Sequence, residues 1–288
     1  MKKSRAAIAV CMASFICMLV FAVYYVDLHG RYKTDRDYAF VCVEQDGYHD
    51  LKKEDYVKGT YLTEENQTAE AGSIHKKVDT TLVTVDFSPE DIFGAGAGFT
   101  QQDTEGCMLS STLADRLFGD RNITGLLVTV KGKNYPVRTV FESEEVMIIV
   151  QRGHTGGGDW ALMESRSISE VVLDVSEEMY RGQYAEEFSI RHNTEGSSYY
   201  YASDYLNILP GLELPAKWSD FDIWSEWEEE LHAISERRVY HNKDVVETFY
   251  YRIYNKLQGY RMLIAITAIL FAVSVIKCIS IYRKRKKV

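Results

Sequence analysis

Proline is almost missing: there are four in 288 residues, and none follows Pro215, so the last quarter of the chain meets no obligatory helix breaker. Cysteine is scarce as well, and of the five only Cys42 and Cys107 lie outside apolar runs; Cys11, Cys17 and Cys278 read as small apolar side chains within them. No GxxxxGK[ST] occurs, which excludes nucleotide hydrolysis by a P-loop in this sequence. HExxH, CxxC and GxSxG are equally absent, and the histidines at 29, 49, 75, 154, 192, 232 and 241 are scattered. The expectation is therefore of no catalytic set, no metal site and no cofactor.

Charge is missing entirely from residues 6–26 (AAIAVCMASFICMLVFAVYYV) and 262–276 (MLIAITAILFAVSVI). At about 1.5 Å per residue the first run crosses a hydrocarbon core of roughly 30 Å. The second does so once Lys277 snorkels and CISIY extends it to Tyr282. Lys2, Lys3 and Arg5 precede the first run, Arg283 to Lys287 follow the second, and neither tail holds an acid. By the positive-inside rule both termini are expected in the cytoplasm. The first run is too long for the usual signal-peptide core, and Tyr24-Tyr25-Val26-Asp27 is no small-x-small cleavage site, so an uncleaved anchor is expected.

Residues 27–261 keep 24 Lys+Arg against all 42 Asp+Glu, a formal charge of −18. So acidic a domain is a poor nucleic-acid binder, because phosphate neutralisation supplies most of that affinity. Within it, YAFVCVE (38–44) and TTLVTVDF (80–87) read as strands, and Ser88-Pro89-Glu90-Asp91 as the start of a short helix or turn. Residues 58–77 show no apolar period and read as a loop. GAGAG (94–98) and HTGGGD (154–159) lack the strand–glycine–helix frame of a nucleotide site and read as flexible loops. Cys42 and Cys107 form the only cysteine pair in the domain; a disulfide and two thiols both stay open.

The most informative segment is 106–142, GCMLSSTLADRLFGDRNITGLLVTVKGKNYPVRTVFE. CMLS reads as a strand, Ser110 to Thr112 as a cap, LADRLF as a short amphipathic helix, and Gly119 as its left-handed stop. VTVKGKNYPV then reads as a hairpin turning at Lys131-Gly132-Lys133-Asn134. This pattern resembles the MacB/FtsX-type extracytoplasmic core domain of ABC-transporter permeases, matching at Ala114, Leu117, Phe118, Gly119, Gly125, Val128, Val130, Gly132, Tyr135 and Val137. It departs at Thr139, where the family commonly has glycine, and at Leu126, where it is commonly basic. The matching positions are packing and turn residues.

The resemblance implies a permease-like subunit working with an ABC ATPase and a companion permease chain, and a bacterial source. Full permeases of this type carry more membrane helices, so the two-helix chain resembles a truncated or split form. The alternative is a membrane-tethered extracytoplasmic binding or sensory module with no transport role.

In the second half, SEVVLDV (169–175) reads as a strand, EEMYRGQYAEEF (177–188) as a helix despite Gly182, and Tyr199 to Tyr201 as strand residues packing on both faces. Apolar residues recur at Trp224, Trp227, Leu231 and Ile234, then at Val246, Phe249, Ile253, Leu257, Tyr260 and Ile264. RRVYHNKD (237–244) interrupts this seam, which reads as a long stalk helix broken near His241-Asn242. Glu226 and Glu228 to Glu230 read as its solvated face.

The expected architecture is an α+β extracytoplasmic domain bracketed by two transmembrane α-helices. The boundaries are a cytoplasmic tail 1–5, membrane helix 6–26, domain 27–218, stalk 219–261, membrane helix 262–282 and basic cytoplasmic tail 283–288. The expected partners are the bilayer, the companion permease and the ATPase, with homo- or hetero-oligomerisation through membrane and stalk helices left open and no nucleic acid.

Overall fold

A computed structural model of the chain describes residues 2–32, 36–45, 54–72, 75–94, 99–152, 168–192, 198–207, 221–239 and 244–286. It forms two compact units, one of Met1–Lys33 with Arg252–Val288, the other of Thr34–Tyr251.

The first unit holds helix α1 (Lys2–Tyr32) and most of the last helix, α7 (Val245–Lys286). Both are long and apolar enough to cross a membrane. Phe15 meets Phe271 at 5.4 Å and Tyr24 stacks on Tyr260 at 6.1 Å, so the helices run antiparallel and their outer ends lie on the same side of the pair. Ser14, Thr267 and Ser274 are buried, while Val23, Val26 and Ile269 are exposed, as lipid-facing side chains would be. Thr267 Oγ1 donates to the Leu263 carbonyl at 2.8 Å, which removes the cost of an unpaired hydroxyl in an apolar setting.

The second unit is built on nine strands: β1 (Tyr38–Gln45), β2 (Val57–Ala71), β3 (Lys77–Val85), β4 (Cys107–Ser110), β5 (Leu127–Val130), β6 (Lys133–Phe141), β7 (Met147–Gln151), β8 (Ile168–Asp174) and β9 (Tyr199–Tyr201). Their order is β3-β7-β4-β6-β5-β2-β8-β1-β9, and β2 pairs with β3 as well. Six strands therefore close into a ring, and β8, β1 and β9 extend from it as an arm. β2 reaches both because it is long: its first part pairs with β8, and Ala69–Ala71 pair with β5.

That strand corrects the loop expected over 58–77. Its alternation is hidden by a register shift between Glu64 and Gln67, where Asn66 takes φ 55°, and by small residues at the buried positions Thr60, Ala69 and Ala71. The helix expected over 177–188 also moves. It begins only at Gln183, as α4 (Gln183–Arg191), because Gly182 sits at φ 92° and caps it. Gly96, Gly98 and the HTGGGD stretch lie outside the described residues.

Two cores result. Around the ring, Leu109, Val128, Val130, Val137, Ile148 and Val150 pack with helix α3 (Ser111–Phe118). Leu113 and Leu117 of α3 are wholly buried, each contributing about 2 kcal/mol of apolar transfer. On the arm, Ala39, Val41 and Val43 pack with Val171, Leu173 and Phe188 of α4. Strand alternation sends Phe40 to the opposite face, where it stacks on Tyr200 at 4.7 Å and meets Tyr250 of α7 at 5.7 Å.

Candidate functional site

The ten positions that carry the resemblance form one structural unit. Ser110 caps α3, its hydroxyl accepting from the Leu113 amide at 3.2 Å and from the Met147 amide at 3.1 Å, so the cap also ties the helix to β7. Ala114 and Leu117 then face Val128, Val130 and Val137 in the ring core, with Phe118 and Tyr135 partly buried against them. Gly119 ends the helix at φ 72°. Lys131 (φ 50°) and Gly132 (φ 76°) form a two-residue turn, so Lys133 and Asn134 belong to β6 and not to the turn. Gly125 precedes β5, and its amide donates to the Val137 carbonyl at 2.7 Å. This unit builds a scaffold and presents no reactive group.

Cys42 and Cys107 do not meet as a disulfide. Cys42 is exposed on β1, while Cys107 is buried on β4, and burial pushes its thiol up to about 12. Among the described residues no group of three or more His, Cys, Asp or Glu is arranged to hold a metal.

Polar groups converge elsewhere, on a cavity of about 530 Å³ lined by β1, β8 and β9, by helix α6 (Phe221–Val239) and by the start of α7. Six carboxylates (Glu170, Asp204, Glu230, Glu236, Asp244, Glu247) and two guanidinium groups (Arg181, Arg237) border it.

Arg237, in the last turn of α6, donates to Glu247 of α7 at 2.9 Å and to the Tyr199 carbonyl at 2.6 Å, and lies over the Tyr200 ring. Tyr205, on the short helix α5 (Ser203–Leu206), donates to the same Glu247. Arg181 pairs with Asp204 and Glu230, both at 2.6 Å, and lies 3.9 Å from the centre of the Tyr201 ring. Arg238 donates to the Asp204 carbonyl. The Arg237–Glu247 pair thus joins the end of α6 to the start of α7, and Arg237 ties both to strand β9 through the Tyr199 carbonyl and the Tyr200 ring; such pairing is how buried ions escape their desolvation cost. Burial raises the Asp204 carboxyl even with Arg181 beside it.

Asp244 caps α7, accepting from the Val246 amide at 3.0 Å and the Glu247 amide at 3.3 Å. It also receives a hydrogen bond from Tyr61 of β2 at 2.8 Å, and Tyr61 contacts Glu170 of β8 as well. Burial raises Glu170 well above the usual glutamate range, and the Asp244 charge adds to that.

Sequence reasoning missed this cluster. RRVYHNKD reads as an interruption of an apolar seam, yet Arg237, Arg238 and Asp244 are its clamps; 240–243, where the break was expected, lie outside the described residues. The one local signal was Asp244, two residues before the apolar seam resumes at Val246, a helix cap. Glu230, expected on a solvated face, pairs with Arg181, while Glu228 and Glu229 are exposed. Tyr200 is buried facing Phe40, and Tyr199 and Tyr201 face the other way and meet edge to face, so the tyrosines pack on both sides of the strand.

No family profile and no curated protein matches the chain. Among solved structures, it is similar to the periplasmic region of MacB from Actinobacillus actinomycetemcomitans, with 11% identity over 58% of this chain and 88% of that one, at a TM-score of 0.43. It is also similar to the extracellular domain of the ABC-type transporter YknZ from Gram-positive bacteria, with 18% identity over 57% of this chain and 98% of that one, at a TM-score of 0.41.

Proposed function

We propose that the chain is a permease-like membrane subunit of an ABC-type transport or mechanotransmission complex, with ATP hydrolysed by a partner polypeptide. The observation that carries this reading is α7. It is one unbroken helix of 42 residues, about 60 Å long, whose first turns are built into the domain and whose later turns are apolar enough to span a membrane. Phe249 packs on Phe93 of the short helix α2 (Glu90–Phe93) at 5.3 Å and on Phe141 at 6.1 Å, and the Tyr250 hydroxyl donates to the Ile92 carbonyl at 3.0 Å. A helix fixed in a folded domain and continuing as an apolar rod is a mechanical link wherever its fixed end has two arrangements. The motif unit at 106–142 supports the same reading through its family resemblance. So does the antiparallel helix pair, with both termini on one side; the basic tails make that side the cytoplasm.

A second reading, a membrane-tethered extracytoplasmic binding or sensory module, is favoured by one observation, the cavity of about 530 Å³, a volume in the range of small-molecule sites. The two readings differ in what the membrane helices do. Replacing α1 and the apolar part of α7 with unrelated apolar helices of equal length should abolish co-recovery of partner chains if the protein is a permease subunit. Retention of the same partners would support the tethered module.

A further inference from the structure

The cluster at the start of α7 holds two buried carboxylates around a single phenol. Tyr61 Oη contacts Glu170 Oε2 and lies 2.8 Å from Asp244 Oδ2. A phenol carries one hydrogen and donates to one carboxylate; the second contact holds only if that carboxyl is neutral and donates its own hydrogen to the phenol oxygen. Burial raises the Asp244 carboxyl as well, but the two backbone amides it accepts favour its charged form. The proton therefore resides on Glu170, and a directed chain follows: the Glu170 acid donates to Tyr61, and Tyr61 donates to Asp244.

Every ionisable neighbour is accounted for. From α7, Glu247 is held by Arg237 and Tyr205. From α6, Arg237 is committed to Glu247, the Tyr199 carbonyl and the Tyr200 ring. From β9, the buried Tyr200 turns its phenol toward Tyr61, Glu170 and Asp244, and Tyr205 faces the cluster from α5. From β2, Thr63 donates to Asp244 at 3.4 Å. Neither Glu170 nor Asp244 has a cationic partner in an ion pair among the described residues; Arg237 favours the Glu170 charge from beyond ion-pair range, and the charges of Asp244 and Glu247 oppose it.

We propose that Glu170, Tyr61 and Asp244 form a proton-held latch, in which one proton fastens the capped start of α7 to strands β2 and β8 and its loss sets two like charges against each other and frees the helix end. The latch goes beyond the functional reading above and does not depend on it. The folded protein holds a proton that an unfolded glutamate releases in its ordinary range. The stabilisation is thus complete below that range and disappears as the pH rises through the higher value of folded Glu170.

The test uses the full chain in detergent or nanodiscs, as wild type and as Glu170→Gln, whose amide N–H replaces the acid hydrogen. At neutral pH the infrared difference between them should contain the carbonyl stretch of a neutral carboxylic acid. Hydrogen exchange, corrected for intrinsic rates, should show residues 244–251 losing about tenfold more protection in wild type than in Glu170→Gln as the pH rises from neutral through the titration of Glu170, the change that release of one proton over one pH unit supplies. A difference spectrum with carboxylate bands only, or equal loss of protection in both proteins, overturns the latch. If Glu170→Gln does not fold, Asp244→Asn keeps a helix cap and removes one of the two charges, and it should likewise hold its protection at high pH; loss equal to that of wild type overturns the latch.

Discussion

At Gly119 the chain leaves α3 with φ 72°, and its amide donates to the Asp115 carbonyl at 3.0 Å, closing the helix. A side chain added there meets nothing within 4 Å, so the cost of substitution is backbone strain alone. Gly119→Val, β-branched and ill-suited to the left-handed region, should lower stability by more than about 1 kcal/mol, read as a shifted denaturation midpoint of the full chain. An unchanged midpoint would contradict the assigned conformation. Features of this kind were legible in the sequence because their cause is local. A glycine after a short amphipathic run, a Lys-Gly turn between valines and a serine closing an apolar strand ahead of a helix each act within a few residues. The partition of Tyr199 to Tyr201 onto two faces is equally local, since strand geometry dictates it.

Among the elements, legibility followed burial pattern. β1, β3, β5 and β8 announce themselves by apolar alternation, whereas β2 does not, because its middle is polar, bulged and partly exposed. Its existence is decided by partners far along the chain, β3, β5 and β8, and no window of its own sequence contains them. The junction between α6 and α7 was opaque for the same reason. Arg237 is recognisable as a clamp only once Tyr199 and Glu247 are brought to it, 38 and 10 residues away. Its side chain is 27% exposed and that of Glu247 is 7% exposed. Arg237→Ala strands the Glu247 carboxylate in a buried setting and should destabilise by about 3 kcal/mol. Arg121→Ala removes a guanidinium that pairs with Asp115 and Glu142 on the exposed surface and should leave the thermal midpoint nearly unchanged. Equal effects of the two substitutions, measured side by side, would contradict the account of the clamp.

For the whole molecule, the sequence showed two apolar helices and an acidic α+β domain between them, because hydropathy and charge add up without reference to contacts. It did not show where the buried polar groups concentrate. The motif at 106–142 proved to be packing and turns, while the polar groups gather some hundred residues later, where β9, α6 and the start of α7 meet. That junction holds the start of α7, whose later turns are apolar enough to cross a membrane, and the permease-like reading depends on this helix. The most direct measurement is affinity purification of the tagged full chain from its native membranes in mild detergent, with mass-spectrometric identification of stoichiometric partners. The account predicts co-recovery of an ABC ATPase together with a second permease chain. Recovery of the protein alone, or with an unrelated receptor, would contradict it and leave a tethered extracytoplasmic module.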